Sequence, residues 1–575
     1  MSVIKPILDE RPLPVASDAI LKTWCLSNRQ LCDVECLLTD VFFPLVGFHE
    51  KEDYDSVCHN MRLCSGALWP IPITLDVSEQ FASQLTLNEN IILTNNENTP
   101  VALLTISSIW QPDKEQEALL IFGSNDRKHP GVHYLFEEAN AWYLGGKLTS
   151  ISPITHYDFV QYRHTPAQLK QLFKLYDWSK VIAFQTRNPI YKAHFELTQR
   201  AAKNTNAHLL IHPVIGLTKP GDIEPVTRVK CYEKILEKYP KQDAMLSLLP
   251  LAMRMAGPKE ALWHAIIRKN YGVTHFIVGR DHAGPGLNSQ GMSFYEPYDA
   301  QLLLQVHSQE IGIEIVACPT VVYAKEKAKF LTIDEITSND TIETISGTRL
   351  RRRLENRLPI PDWFSFPDII QILQKAYPTK LEQGYTVFFT GLSGSGKSTL
   401  AKALYAKIRE FNQRQVTLLD GDVVRKNLSG ELGFCKTDRD THIKRMGYVA
   451  AEITKHQGIA ICAAIAPYEA TRRLIREMVS QHGGFIEIHV STPINICKKR
   501  DIKGLYKKAM LGLITGFTGV DDPYEEPIDA DIIIDTSISS VDDSVDVIFN
   551  KLATMGFIKK ASCENSIKIE NKVIA

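Results

Sequence analysis

The sequence of 575 residues has no run of 18 or more apolar residues, which excludes an ordinary membrane-spanning helix. Its opening, MSVIKPILDERPLP, has no basic segment leading into an apolar one, so no secretory leader is expected. Neither sign of charge prevails: Lys and Arg total 65 against 66 Asp and Glu. No global field therefore advertises nucleic acid or an anionic membrane as partner. An anionic ligand must be held by local arrangements of Arg, Lys and backbone N–H groups. Five of the eleven cysteines (Cys25, Cys32, Cys36, Cys58, Cys64) cluster near the start, without the paired Cys-x-x-Cys spacing of a zinc site. Reduced thiols in a cytoplasmic protein are the expectation. No internal repeat is present.

What the sequence does contain fits a soluble globular chain, with 44% apolar and 23% charged residues, too long for one ordinary core. Short β-type runs such as IILT, VALLTISSIW and ALLIFGS, separated by turn residues, predict a β-rich first domain over residues 1–158. From about Asp177 strand-like and helix-like segments alternate: WSKVIAFQT, HFELTQRAAKNT, HLLIHPVIG, RVKCYEKILEKY, THFIVGRD and YDAQLLLQVHSQEIG. Alternation of this kind predicts a parallel sheet wrapped by helices, placed at 159–318. The proline-rich LPIPDWFSFPD breaks the pattern inside a small connecting domain at 319–380. A second α/β unit follows at 381–575, ending in a polar tail from about Lys559 that is expected to be disordered.

The sharpest local signal is Gly391-Leu392-Ser393-Gly394-Ser395-Gly396-Lys397-Ser398, followed by Thr399, between a predicted strand and a predicted helix. Glycines let backbone N–H groups curl around phosphate, and the helix N-terminus adds its dipole. Lys397 would reach the β- and γ-phosphates, and the Ser398 hydroxyl would ligate Mg²⁺ carried by the nucleotide. Downstream, LLDGDVVRKNL, LGFCKTDRDTHIKR, CAAIAPYEATRR and RDIKGLYKKA…GFTGVDDPYEEP supply further charged groups at predicted strand ends. Singly, each is more often a solvated surface residue. Together they resemble adenylylsulfate (APS) kinase over most of residues 384–540. The resemblance implies ATP-dependent phosphorylation of APS on its 3′-hydroxyl to give PAPS, with Asp422 orienting or deprotonating that hydroxyl. It implies APS contacts from Asp422, Arg425, Phe434, Arg439, His442, Ile465, Lys503, Phe517 and Thr518. Two positions depart from the family pattern: His442 stands where asparagine is usual, and Ala466 where a serine often precedes Pro467.

QTRNPIYKAH (Gln185–His194) sits where a predicted strand ends and a helix begins, a natural place for an anion. VGRDHAGPG ends another predicted strand, and strand ends of a parallel sheet share one crevice. These motifs, with FFPLVGFHEKEDYDSVCHNMRL, HPVIGLTKPGDI and LAMRMAGPKEALWHAIIRKNYG in order, resemble ATP sulfurylase over roughly residues 1–375. The implied fold class is an α/β multidomain chain: a PUA-like β-rich domain, a Rossmann-like nucleotidyltransferase domain, a connecting domain and a P-loop kinase. The implied chemistry is attack of sulfate on the ATP α-phosphorus with loss of pyrophosphate. The resemblance places catalysis on Thr186, Arg187, Asn188 and His194. ATP falls on Gln185, Asn188, Gly279, Arg280, Asp281 and His282, and sulfate on Gln185, Arg187 and Ala283. Tyr191 stands where the family has the first of two histidines three apart.

Three readings remain at this point. The chain makes APS and then PAPS; it is an APS kinase whose first part is impaired or regulatory because of Tyr191; or it is a nucleotide-sensing scaffold. The partners expected are ATP, sulfate, APS and pyrophosphate, with neither nucleic acid nor membrane, in a homo-oligomer.

Overall fold

The computed structural model describes residues 21–219, 222–411, 414–501 and 503–559, so the opening segment and the polar tail lie outside the described residues. These residues form two compact units. One comprises the chain up to Ser346 with Ile360–Leu373; the other comprises Gly347–Pro359 with the chain from Gln374. The segment expected to form a connecting domain is thus divided between them.

The first unit opens with a six-stranded sheet in the order Thr23–Cys25, Asn90–Thr94, Pro100–Trp110, Trp142–Ser150, Gly47–Phe48, with Leu75–Val77 also paired to Trp142–Ser150. All pairs are antiparallel except the first. Helices Asn28–Leu38, Lys51–Asn60 and Lys114–Phe122 accompany the sheet. Ser27 starts the first of these by accepting the Gln30 N–H while the Gln30 side chain returns to the Ser27 N–H.

A second sheet carries five parallel strands in the order Glu314–Ala317, His275–Val278, Val181–Phe184, His208–Ile211, Ala244–Leu246. Its central strands, VIAF and HFIV, are buried throughout, the unbroken apolar pattern of a sheet covered on both faces. The chain leaves Val181–Phe184 toward one side and returns on the other at His275–Val278, so the order reverses between these two neighbours. A crevice opens at their C-terminal ends. One hydrophobic core, from Leu26 through Trp69 and Trp263 to Ile313, runs through both sheets. A three-stranded antiparallel sheet, Lys329–Thr332, Val321–Ala324 and Ile342–Glu343, completes the unit.

The second unit is built on five parallel strands in the order Val416–Asp420, Ile459–Ala463, Tyr385–Thr390, Gly484–Val490, Ile532–Ile534. Apolar clusters lie on both faces, one around Val387, Leu404 and Ile548 and one around Phe388, Met446 and Ile475. The strand Tyr385–Thr390 runs through the glycine-rich turn into the helix Lys397–Phe411.

Candidate active sites

In the first crevice, the turn after Val181–Phe184 is clasped from within. The Asn188 N–H donates to Thr186 Oγ1 at 3.0 Å, and the Thr186 hydroxyl donates to the Asn188 carbonyl at 3.0 Å. Tyr232 donates to that carbonyl at 2.9 Å, and the buried Arg228 guanidinium donates to the carbonyls of Arg187 and Val214. Arg187 is therefore presented on a fixed backbone. Among the described residues its own guanidinium has two long contacts to oxygen, Asp222 Oδ2 and the Gly284 carbonyl, each at 3.4 Å, and one to Met255 Sδ at 3.5 Å. The Gln185 amide reaches Met253 Sδ, at 3.9 Å. Donors engaged this weakly keep their capacity for an oxyanion.

The Arg187–Gly284 contact joins QTRNP to GRDHAG. The latter turn is tight: Asp281 and Ala283 adopt φ of 53° and 55°. A Cβ on Gly284 would lie 1.9 Å from Asp281 Oδ1, so a larger residue there would displace the Asp281 carboxylate. Met255, against Arg187, is also left-handed at φ 64°; left-handed non-glycine residues of this kind concentrate at functional sites. Arg280 is exposed and Gly279 half-buried, whereas His282 is buried.

Tyr191 precedes the helix Lys192–Thr205, and its N–H donates to His194 Nδ1 at 3.4 Å. That bond makes Nδ1 the acceptor and assigns the ring proton to Nε2. Desolvation pushes the His194 pKa down to about 4, so the ring is a neutral donor at physiological pH. The Tyr191 ring packs on Phe364 with centroids 4.6 Å apart, and lies 5.9 Å from the His194 ring. Lys192 is tied to the same segment, its N–H bonding the Phe364 carbonyl and its ammonium the Asp362 carbonyl. Asp222, Arg228, Tyr232, Met253, Met255 and Phe364 were not singled out from sequence. They lie in segments quoted from the sequence, but nothing local says which of their side chains reach the crevice.

The second crevice lies at the end of Tyr385–Thr390. Gly391, Gly394 and Gly396 adopt φ of 146°, 74° and 102°, and a Cβ on Gly391 would lie 2.5 Å from the Val490 carbonyl. Ser395 is fully buried, and its carbonyl accepts from Thr492 and Thr536. Tyr506 donates to the Ser393 carbonyl, whereas Ser398 and Thr399 are exposed. Lys397 turns into its own loop, donating to the Leu392 carbonyl at 2.7 Å. Burial lowers its pKa to about 8. Ser398 donates to Asp420 Oδ2 at 2.8 Å, and Asp420 Oδ1 caps the next helix through the Asp422 N–H. Asp422 pairs with Lys503. This hydroxyl and these carboxylates are hard oxygen donors, suited to Mg²⁺ when phosphates supply the remaining ligands.

The other residues expected around APS make several separate contacts. Arg439 donates to Thr518 Oγ1 at 2.7 Å and to Asp522 Oδ2 at 2.9 Å, and Tyr468 donates to the same carboxylate. Arg425 lies over the exposed Phe434 ring at 4.7 Å. Phe517 packs edge-on against Tyr506. The Ile465 carbonyl accepts from Thr390 and from the Gly391 N–H. His442 is buried and shares a hydrogen bond with Ser429 at 3.2 Å; burial, then Arg425, lowers its pKa to about 4. Among the described residues no side-chain hydrogen bond joins these contacts to Asp422 or Lys503.

Comparison with known proteins supplies the families. Residues 160–376 match the ATP-sulfurylase family, 383–535 the Adenylylsulphate kinase family and 9–153 the PUA-like domain. A sulfate adenylyltransferase of Aspergillus oryzae is 49% identical over 539 residues, covering 93% of this chain and 94% of that protein. The chain belongs to the sulfate adenylyltransferase family. A second member, from Yarrowia lipolytica, is 46% identical over 563 residues, covering 96% and 98%. Among solved structures, a hexameric APS kinase from Thiobacillus denitrificans matches with a TM-score of 0.75 at 34% identity, covering 94% of both chains. In this member of the adenylyltransferase family, a glycine-rich loop with its lysine and hydroxyl accompanies the adenylyltransferase crevice.

Proposed function

We propose that the two sites act in series on sulfate, first as sulfate adenylyltransferase and then as adenylylsulfate kinase. In the first reaction a sulfate oxygen attacks the α-phosphorus of ATP, the α–β bridge breaks, and APS and pyrophosphate form. In the second, the 3′-hydroxyl of APS attacks the γ-phosphorus of another ATP, giving PAPS and ADP. The observation that carries the first half is the Arg187–Gly284 contact, which brings the two strand-end motifs to one crevice with weakly engaged donors facing it.

Gln185, Arg187 and the Ala283 turn hold sulfate, while Asn188 and Gly279–His282 hold ATP. The His194 Nε2–H and the Tyr191 hydroxyl donate to charge that grows on the phosphate and the leaving bridge oxygen. The clasp through Thr186 keeps this turn rigid. Tyr191 is compatible with turnover because its backbone N–H, present whatever the side chain, orients His194. In the second site residues 391–399 cradle ATP, with Lys397 on the β- and γ-phosphates. Ser398 and Asp420 would hold Mg²⁺, which would neutralise phosphate charge. Asp422, released from Lys503, receives the hydroxyl proton, while Arg425, Phe434, Arg439, His442, Ile465, Phe517 and Thr518 surround APS. The working divisions are 1–158, 159–318, 319–380 and 381–575. The protein acts in the cytoplasm as a homo-oligomer, a state suggested by the hexameric relative.

The test supplies purified protein with ATP, Mg²⁺, sulfate and pyrophosphatase, follows APS and PAPS by chromatography, and runs a Tyr191→His variant alongside. PAPS from sulfate at a rate within about tenfold of the variant is the expected result. PAPS only from supplied APS would reduce the first unit to a binding or regulatory part.

A further inference from the structure

Behind the first crevice lies a buried chain of polar groups for which the reaction above has no use. Glu260 and His264 sit one turn apart on the helix Gly257–Asn270, and both are 0% exposed. The two oxygens of Glu260 are taken by backbone donors: Oε1 by the Arg254 N–H at 3.0 Å and Oε2 by the Ala256 N–H at 2.8 Å. These amides flank Met255, whose sulfur rests on Arg187. His264 Nε2 stands 3.3 Å from Glu260 Oε1, close although not aligned as a hydrogen bond. On its other side, His264 Nδ1 and His282 Nε2 are 3.1 Å apart and share one proton. His282 makes no other side-chain hydrogen bond among the described residues.

The placement of that proton follows from the far end of the chain. Glu260 carries charge: burial opposes it, but His264 and the two amides hold its pKa below the usual carboxylate value. A bare lone pair on His264 Nε2 would face this carboxylate in a dry interior, whereas an N–H is attracted to it. His264 therefore bears its proton on Nε2, and Nδ1 is left as an acceptor. His282 must then donate from Nε2, and as a neutral ring it retains a lone pair on Nδ1. The assignment runs from Glu260 outward and does not depend on what occupies the crevice.

We propose that Glu260 and His264 are positioning residues that fix His282 as a hydrogen-bond acceptor, so that it recognises an N–H or O–H of the nucleoside rather than a phosphate oxygen. The proposal rests on the reading that Gly279–His282 hold ATP, and it adds which part of ATP His282 reads. The candidate donors are the adenine amine and the two ribose hydroxyls, and the experiment separates them.

The test uses the full chain and two substitutions that divide the imidazole of His264 between them. His264→Asn keeps an oxygen at the Nδ1 position, able to accept from His282. His264→Gln keeps an amide toward Glu260 but removes that acceptor. Sulfate-dependent pyrophosphate release is measured with ATP and with three analogues, each lacking the adenine amine, the 2′-hydroxyl or the 3′-hydroxyl. For the unsubstituted protein and His264→Asn, one analogue should fall about tenfold below ATP in kcat/KM, the loss of one hydrogen bond. For His264→Gln, ATP should drop to the level of that analogue and the gap should close to about twofold, as in a double-mutant cycle. Thermal unfolding of both variants identifies any general loss of structure, which would depress ATP and every analogue alike. Equal behaviour of the two variants, or no analogue gap in the unsubstituted protein, overturns the proposal. Absence of any sulfate-dependent pyrophosphate release from the unsubstituted protein would instead overturn the reading of the crevice itself.

Discussion

In the first unit the crevice and the interior behind it hold imidazoles that desolvation keeps neutral: His194 at a pKa of about 4, with His264 and His282 also held low. In the second, the residue proposed to hold phosphate is a cation, Lys397, which the same desolvation lowers to about 8. One physical cause thus leaves the imidazoles of the first unit uncharged and brings the lysine of the second close to losing its charge. An adenylyl transfer with pyrophosphate leaving and a phosphoryl transfer to a hydroxyl are served by different electrostatics on one chain.

The comparison can be broken most directly by removing one donor at a time. Lys397→Ala should lower PAPS formation from supplied APS on the order of 10²–10³-fold, while sulfate-dependent pyrophosphate release stays within about twofold. His194→Ala should do the reverse, with a loss of similar size confined to the first reaction. A variant that disabled both reactions equally would show that the two crevices do not work independently. Tyr191→Phe tests the hydroxyl alone. A loss of about tenfold in kcat at unchanged KM for ATP is expected, since the backbone bond to His194 survives the change.

Smaller effects sharpen the contrast through pH. Lys397 is protonated below its folded value, so kcat/KM for ATP in the kinase reaction should fall as pH rises past about 8. The sulfurylase reaction should show no such limb from His194, which stays neutral across that range. Stability should move in the acid direction. His49, His129 and His194 of the first unit have folded pKa values lowered to about 4, against an unfolded value near 6.5. The unfolded chain binds the extra protons, so stability is fully present above about pH 6.5 and is lost as pH falls toward 4. Each buried histidine contributes about 1–2 kcal/mol of that loss between pH 6.5 and 5. Among the described histidines of the second unit, only His442 carries a value lowered to about 4. Calorimetry between pH 7 and 5 should therefore show the transition of the first unit moving down further than that of the second.

Much of this architecture was legible in the sequence because it is written locally. Strand–helix alternation marked the segments that became Val181–Phe184, Lys192–Thr205 and His275–Val278, and the glycine-rich loop stood between its strand and helix as expected. The run ALLIFGS, read as a β-type segment, instead ends the helix Lys114–Phe122, since its apolar content suits a strand as well as a helix. Least legible were the supports of the crevices. Phe364 reaches Tyr191 across more than 170 positions, and Asp222, Arg228 and Tyr232 converge on the 185–188 turn through the sheet. Burial alone gives Glu260 and His264 their meaning, and periodicity records that a face is covered without recording by what.

The continuous core of the first unit also bears on how such a chain can be rearranged over generations. The N-terminal sheet and the five-stranded sheet behind the first crevice share one apolar interior, so a break near residue 158 would strip both of cover. The glycine-loop unit surrounds its own sheet with clusters drawn from Tyr385 onward. Gene fusion or loss could add or delete the residues from Tyr385 onward with these clusters whole, whereas a division between the first two sheets would cut through one core.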